Sequence, residues 1–366
     1  MSRQDFLQIA EQGITLPIGT DLVLHEKTDP EAVRLDGEAL GDVVLEAARR
    51  YGSPLAIPLM DLRVEKDAIA RAIGVAEGGI ESFHFDQPPD EATIAACEQL
   101  IDERPPPLMR ASIGAVARVA DAGGRRTPES PMPVGMCIGP FSLMVKLVAE
   151  PIMPVYMAGE GATPEEDEDV AMLMAVLELA CRVVVRYIDK QIDAGAEAMF
   201  VCEPAASTVY LSPAQMADDP AERPDAFDRC VMAFNRRVIE ALDARGCDLI
   251  LHDCGELGDE MVRRLGAELH PAMLSLGSSR NLPDDVALIP DDVVLYGNLP
   301  SKRFSSDATL EPDAIITMAR ELVAKIRATG QPFILGTECD VLSVEGSEDR
   351  LKQRVDALLS AGAAEA

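Results

Sequence analysis

Leu249-Ile250-Leu251-His252-Asp253-Cys254-Gly255 is an apolar run that stops at a histidine, an aspartate and a cysteine before a glycine. A short continuous apolar run suits a strand covered on both faces, as in a parallel sheet. Side chains two apart on an extended strand share a side, so His252 and Cys254 face together while Asp253 alternates away. Imidazole and thiolate are both good zinc ligands, but two ligands do not hold a metal. A matching context recurs at Phe333-Ile334-Leu335-Gly336-Thr337-Glu338-Cys339-Asp340, and Cys339 is the best candidate for a third ligand.

Working outward, similar runs recur at Pro54–Leu59, Gly79–Phe85, Met132–Ile138, Ala198–Cys202, Met273–Leu276 and Val293–Tyr296; with Leu249–His252 and Pro332–Leu335 they make eight candidate strands. Helix-period sequence separates them. Thr163-Pro164-Glu165-Glu166 reads as an N-cap, a proline at the first helical position and acids at the positive dipole end, opening a helix that runs to about Asp193. Further helices are expected over Asp225–Ala244 and Glu311–Thr329, each stopping at a glycine. Eight β/α units predict an α/β fold of the (β/α)8 TIM-barrel type. Residues 1–50 read as an N-terminal helical cap or lid on a barrel over 51–366. Barrel chemistry sits at the C-terminal ends of the strands, so His252, Cys254 and Cys339 converge on one mouth. Three ligands leave a fourth position for substrate, as catalytic zinc requires.

Composition sets further bounds. A 366-residue chain that is 48% hydrophobic buries a large core, and with no tryptophan and 4% aromatics that core is aliphatic. The net charge of −30 argues against nucleic acid and anionic membrane surfaces as partners. Val170–Ile188, the most apolar stretch, carries Glu178, Arg182 and Arg186 and is no membrane span. The opening Met1-Ser2-Arg3-Gln4-Asp5 has no apolar signal core, so a cytoplasmic location is expected. The eight cysteines lack a disulfide-framework spacing and read as thiols in a reducing compartment. A homodimer is compatible with the chain.

Leu251-His252-Asp253-Cys254-Gly255, Gly297-Asn298-Leu299, Gly336-Thr337-Glu338-Cys339-Asp340 and Phe200-Val201-Cys202-Glu203-Pro204-Ala205-Ala206-Ser207 together resemble the uroporphyrinogen decarboxylase superfamily. The nearer resemblance is to its cobalamin-linked branch, the methylcobalamin:coenzyme M and related corrinoid methyltransferases. It covers about Asp61 to Leu358 and implies catalytic zinc on His252, Cys254 and Cys339. The implied reaction moves a methyl group from methylcobalamin, presented by a corrinoid-binding protein, to a small acceptor such as coenzyme M or tetrahydrofolate. True uroporphyrinogen decarboxylases carry an Arg-Gln-Ala-Gly-Arg type motif near the N-terminus. Residues 1–60 contain none, which makes a decarboxylase the second expectation. Glu203 also departs from the branch, which has Asp before Pro-Ala.

Other polar residues have both functional and plain structural readings. Glu203 is a catalytic or substrate-binding candidate that could accept a thiol proton, bind the acceptor or cap the next helix. Asp61, after Pro58-Leu59-Met60, is a catalytic candidate with an N-cap role as its alternative. Asn298 is a candidate substrate hydrogen-bonder. Glu256 and Glu338 read as outer carboxylates or solvated loop acids, and Glu203, Glu256 or Glu338 could complete a resting zinc shell. A closed four-ligand site would instead mark a structural zinc in a corrinoid-binding or chaperone-like protein. His25, His84 and His270 lack partners at metal spacing. Cys97, Cys181, Cys230 and Cys247 read as core thiols, Cys137 and Cys202 as strand residues. Met144–Met157 reads as core that lies near the mouth, where a corrinoid partner would sit.

Overall fold

A computed structural model describes residues 3–123, 125–216 and 225–363. Eight parallel strands form one curled sheet: β1 Thr15–Leu16, β2 Leu55–Ala56, β3 Met132–Ile138, β4 Ala198–Cys202, β5 Asp248–Asp253, β6 Met273–Leu276, β7 Val294–Leu299 and β8 Phe333–Thr337. Their order, β1-β8-β7-β6-β5-β4-β3-β2, is that of a (β/α)8 barrel. Just beyond the edge strands β1 and β2, the Thr20 hydroxyl donates to the Ile57 carbonyl at 2.7 Å and links the segments that follow them.

Alternation along the strands separates two cores. Leu16, Leu55, Val134, Phe200, Ile250, Val294, Tyr296 and Ile334 fill the barrel interior, with Phe6 and Ile9 of helix Gln4–Glu11 packed on the same cluster. The opposite side of the strands, including Val201, Leu251 and Leu335, packs outward on the helices. Both faces are buried, which is why the strands read as continuous apolar runs.

Two expectations are corrected. Gly79–Phe85 is not a strand. It begins at the end of a 3-10 turn, Glu77–Gly79, and continues as a loop whose Phe83 and Phe85 rings pack edge to face at 5.0 Å. The remaining strand is β1, which lies within residues 1–50. β1 pairs Thr15 with Leu335 and Leu16 with Gly336. Two residues are too short a run to show a period, and the neighbour β8 supplies what local sequence lacks. The long helix also starts later than expected. It spans Glu168–Asp193, capped by Asp167, which accepts from Asp169 N and Val170 N. Thr163 pairs instead with Glu166 in the preceding turn. Before helix Ala233–Arg245 the backbone makes a π-helical turn over Asp228–Met232. Among the described residues no helix is long and apolar enough to cross a membrane.

Candidate metal centre

Strand register builds the site. β5 and β6 pair His252 with Ser275, and β4 pairs Cys202 with His252, so His252 points into the barrel at its mouth. Its ring is 1% exposed and lies 5.4 Å from the Phe200 ring. Nδ1 is 2.8 Å from Ser275 Oγ. Nε2 is buried with no hydrogen-bond partner, an unusual state for a polar atom unless something else is meant to meet it.

Two thiols answer it. Cys254 Sγ and Cys339 Sγ lie 3.8 Å apart, and ligand atoms of His252, Cys254 and Cys339 all fall within 4.8 Å of one another, the one such trio among the described residues. Two sulfurs on a tetrahedral zinc, each at about 2.3 Å, stand roughly 3.8 Å apart. The donor set and its spacing therefore fit zinc. With Nε2 as ligand, Nδ1 carries the proton and donates it to Ser275, the arrangement by which outer groups orient metal-binding histidines. Ser275→Ala is expected to weaken zinc binding about 10–100-fold with the fold unchanged, read by chelator competition.

A hydrogen bond from Cys339 holds the Cys254 thiol well below its ordinary range against its burial, helped by His252 and Lys302, while Cys339 is raised in turn. The other six cysteines are buried, and burial pushes them up, Cys181 to about 11 and Cys97, Cys230 and Cys247 to about 12. Reactive thiolate is thus confined to the mouth.

The loop after β7 holds both cysteine segments. Ser301 Oγ donates to the Cys339 carbonyl at 2.9 Å and Lys302 Nζ to the Cys254 carbonyl at 3.1 Å. Glu338 is 4% exposed and accepts from Ser278 N at 3.0 Å and Lys302 N at 3.3 Å, tying the loops after β6 and β7 to β8. Asn298 spends both amide hydrogens on the Gly277 and Arg280 carbonyls, 2.9 Å each. Glu256 is exposed on the rim. Cys254, Glu256, Ser278, Ser279, Lys302 and Glu338 line an open cleft beside the thiols.

Glu203 lies elsewhere. It follows inward-facing Cys202 and turns outward, beneath the N-terminus of helix Pro140–Leu147. There it accepts from Phe141 N at 3.1 Å, Ser142 N at 2.8 Å and Asn235 Nδ2 at 2.9 Å. Gly139 makes room, since a Cβ there would stand 2.1 Å from Glu203 Cδ. Burial raises the Glu203 carboxyl despite these bonds. Its contacts cap the helix before it in sequence, not the next helix as expected. Asp253 also faces away from the cluster, accepting from Gly255 N at 2.9 Å.

Asp61 accepts from Arg63 Nε at 2.8 Å, Arg63 NH2 at 2.6 Å and Arg34 NH1 at 3.1 Å. Burial opposes ionisation, but the two arginines outweigh it and hold the carboxyl below its usual range. Glu65, one turn on, is the reverse. Its Oε1 accepts from Ile138 N at 3.0 Å, its Oε2 has no partner, and burial with neighbouring Asp61 pushes the carboxyl up to about 8, against a small opposing pull from Lys146. A folded-state pKa above the unfolded value means stability is whole below pH ~4 and lost as pH rises toward 8. Glu65→Gln is expected to recover roughly 2–4 kcal/mol of that loss at pH 9 and almost none at pH 4, read as urea midpoints of both proteins across that range.

His25 bonds the Asp21 carbonyl and His270 pairs with Asp292, while His84 is exposed on a loop. None joins the cluster. Sequence reasoning missed Ser275, Met60 and Lys302. A lone serine inside Met273-Leu274-Ser275-Leu276 was the one available signal.

The model of the family described as uroporphyrinogen decarboxylase (URO-D) matches residues 21–359. The chain belongs to the URO-D family. Its curated relatives include a uroporphyrinogen decarboxylase from Erythrobacter litoralis (strain HTCC2594), 23% identical over 87% of this chain and 85% of that one. Among solved structures a methyltransferase from Methanosarcina mazei superposes with a TM-score of 0.66 at 17% identity, covering 98% of this chain and 97% of that one. That likeness shows a shared fold.

Proposed function

We propose that this URO-D family member is a zinc-dependent methyltransferase that moves a methyl group from a methylated corrinoid protein to a small acceptor such as coenzyme M or tetrahydrofolate. The observation that carries the reading is the buried, unpartnered His252 Nε2 beside two thiols 3.8 Å apart at an open cleft. His252, Cys254 and Cys339 would hold the zinc, which when bound supplies a Lewis acid that keeps an acceptor thiol ionised at neutral pH. Ser275 fixes the imidazole tautomer. Ser301 and Lys302 clamp the two cysteine backbones and keep the thiols at their spacing. Phe200 and the inner cluster close the floor against water. Asn298 and Glu338 hold the loops that frame the cleft, and Asp61 is kept ionised and paired by Arg34 and Arg63. The Methanosarcina mazei methyltransferase likeness is in keeping with this reading.

The test is methyl transfer from methylcobalamin to coenzyme M, tetrahydrofolate and homocysteine, with metal analysis of protein purified without chelators. About one zinc per chain and methylation of one acceptor are expected; an active enzyme free of zinc would sink the reading. The name of the Erythrobacter relative favours a decarboxylase. Release of CO2 from uroporphyrinogen without methyl transfer would establish that instead.

A further inference from the structure

A third sulfur stands beside the two thiols. Met60 Sδ is 3.9 Å from Cys339 Sγ, against 3.8 Å between the two thiols. Both separations are close to the roughly 3.8 Å between sulfurs sharing a tetrahedral zinc. Met60 follows β2, whereas the three ligands end β5 and β8, so its thioether approaches from another quarter of the mouth. It packs on the inner cluster that contains Phe200, the ring in contact with His252. The carboxylates expected as candidates for completing the shell are otherwise placed. Glu203 is spent on Phe141, Ser142 and Asn235, Glu338 on Ser278 and Lys302, and Glu256 is exposed on the rim.

We propose that the Met60 thioether is the fourth donor of the resting metal site and yields its position to the incoming substrate thiol. The inference rests on the metal reading above. A thioether is soft and uncharged. With two thiolates and a neutral imidazole it leaves a divalent ion electrically balanced. A carboxylate in its place would make the site net negative and oppose the arrival of another anion. The exchange breaks a metal–thioether bond, forms a metal–thiolate bond and releases the thiol proton to water.

Zinc-edge X-ray absorption of the zinc-loaded full chain tests this. Three sulfur neighbours and one nitrogen are expected, with one sulfur shell replaced by selenium in selenomethionine-substituted protein. In Met60→Leu, which keeps the apolar volume, the sulfur count falls to two and zinc affinity by chelator competition weakens roughly tenfold. Thermal unfolding of that variant checks that the fold is intact. Stoichiometric zinc with two sulfurs, no selenium neighbour and an unchanged Met60→Leu spectrum would overturn the role of Met60 and leave the metal site standing. A wild-type chain that binds no zinc would overturn both.

Discussion

Cys339→Ala is expected to purify without zinc and to show no methyl transfer above background. Removing one of three protein ligands costs more than the 10–100-fold expected of outer-shell groups such as Ser275. The fold should survive, because the Cys339 main chain is held independently: its carbonyl accepts from Ser301 Oγ at 2.9 Å and its N–H donates to the same oxygen at 3.3 Å. Cys254→Ala should behave alike, since Lys302 holds its carbonyl. Metal content, chelator competition and the methyl-transfer assay read the outcome. Full zinc occupancy in Cys339→Ala would dismiss the three-ligand site.

Glu203→Ala should instead destabilise the fold, by roughly 3–5 kcal/mol, with any loss of activity following from lost native protein. The substitution strands two backbone N–H groups and the Asn235 amide in a fully buried place, each worth about 1–3 kcal/mol, and only partial relief comes from relaxation or an entering water. Glu203 is 0% exposed. Its carboxylate also faces the positive end of the Pro140–Leu147 helix, which favours an acceptor there. Denaturant midpoints measure the loss. If Glu203 were the acceptor's proton relay, the variant would keep its midpoint and lose turnover at constant zinc content, and that result would overturn the structural assignment.

The two substitutions divide the site by what local sequence can express. His252 and Cys254 are legible because they sit two apart at the end of an apolar strand, and alternation alone aims them together. Cys339 is legible because its strand and glycine repeat that setting. Glu203 has an equally suggestive place after β4, but it is one residue past inward-facing Cys202, and alternation turns it outward. The same parity, applied strictly, would have separated it from the metal site. Ser275 and Met60 are different. One is defined by the register of β6 against β5 and the other by where the loop after β2 crosses the mouth, and neither relation is local.

The fold divides in the same way. Buried parallel strands from β3 to β8 announce themselves, since apolar side chains on both faces leave little else for such runs to do. Gly79–Phe85 shows the limit: an apolar alternation also suits a loop that docks two phenylalanines on the core. β1 shows the opposite limit, with two residues made into a strand by hydrogen bonds to Leu335 and Gly336. Sequence by itself determined the β/α alternation, the parity that aims His252 and Cys254 inward, and the kind of ligands at the mouth. Only tertiary structure decided which strand pairs the free edge of β8, which serine meets the histidine, which thioether lies beside Cys339, and that Glu203 supports a helix. Those outcomes depend on register and close approach between segments far apart in the chain, and no local pattern encodes such distances.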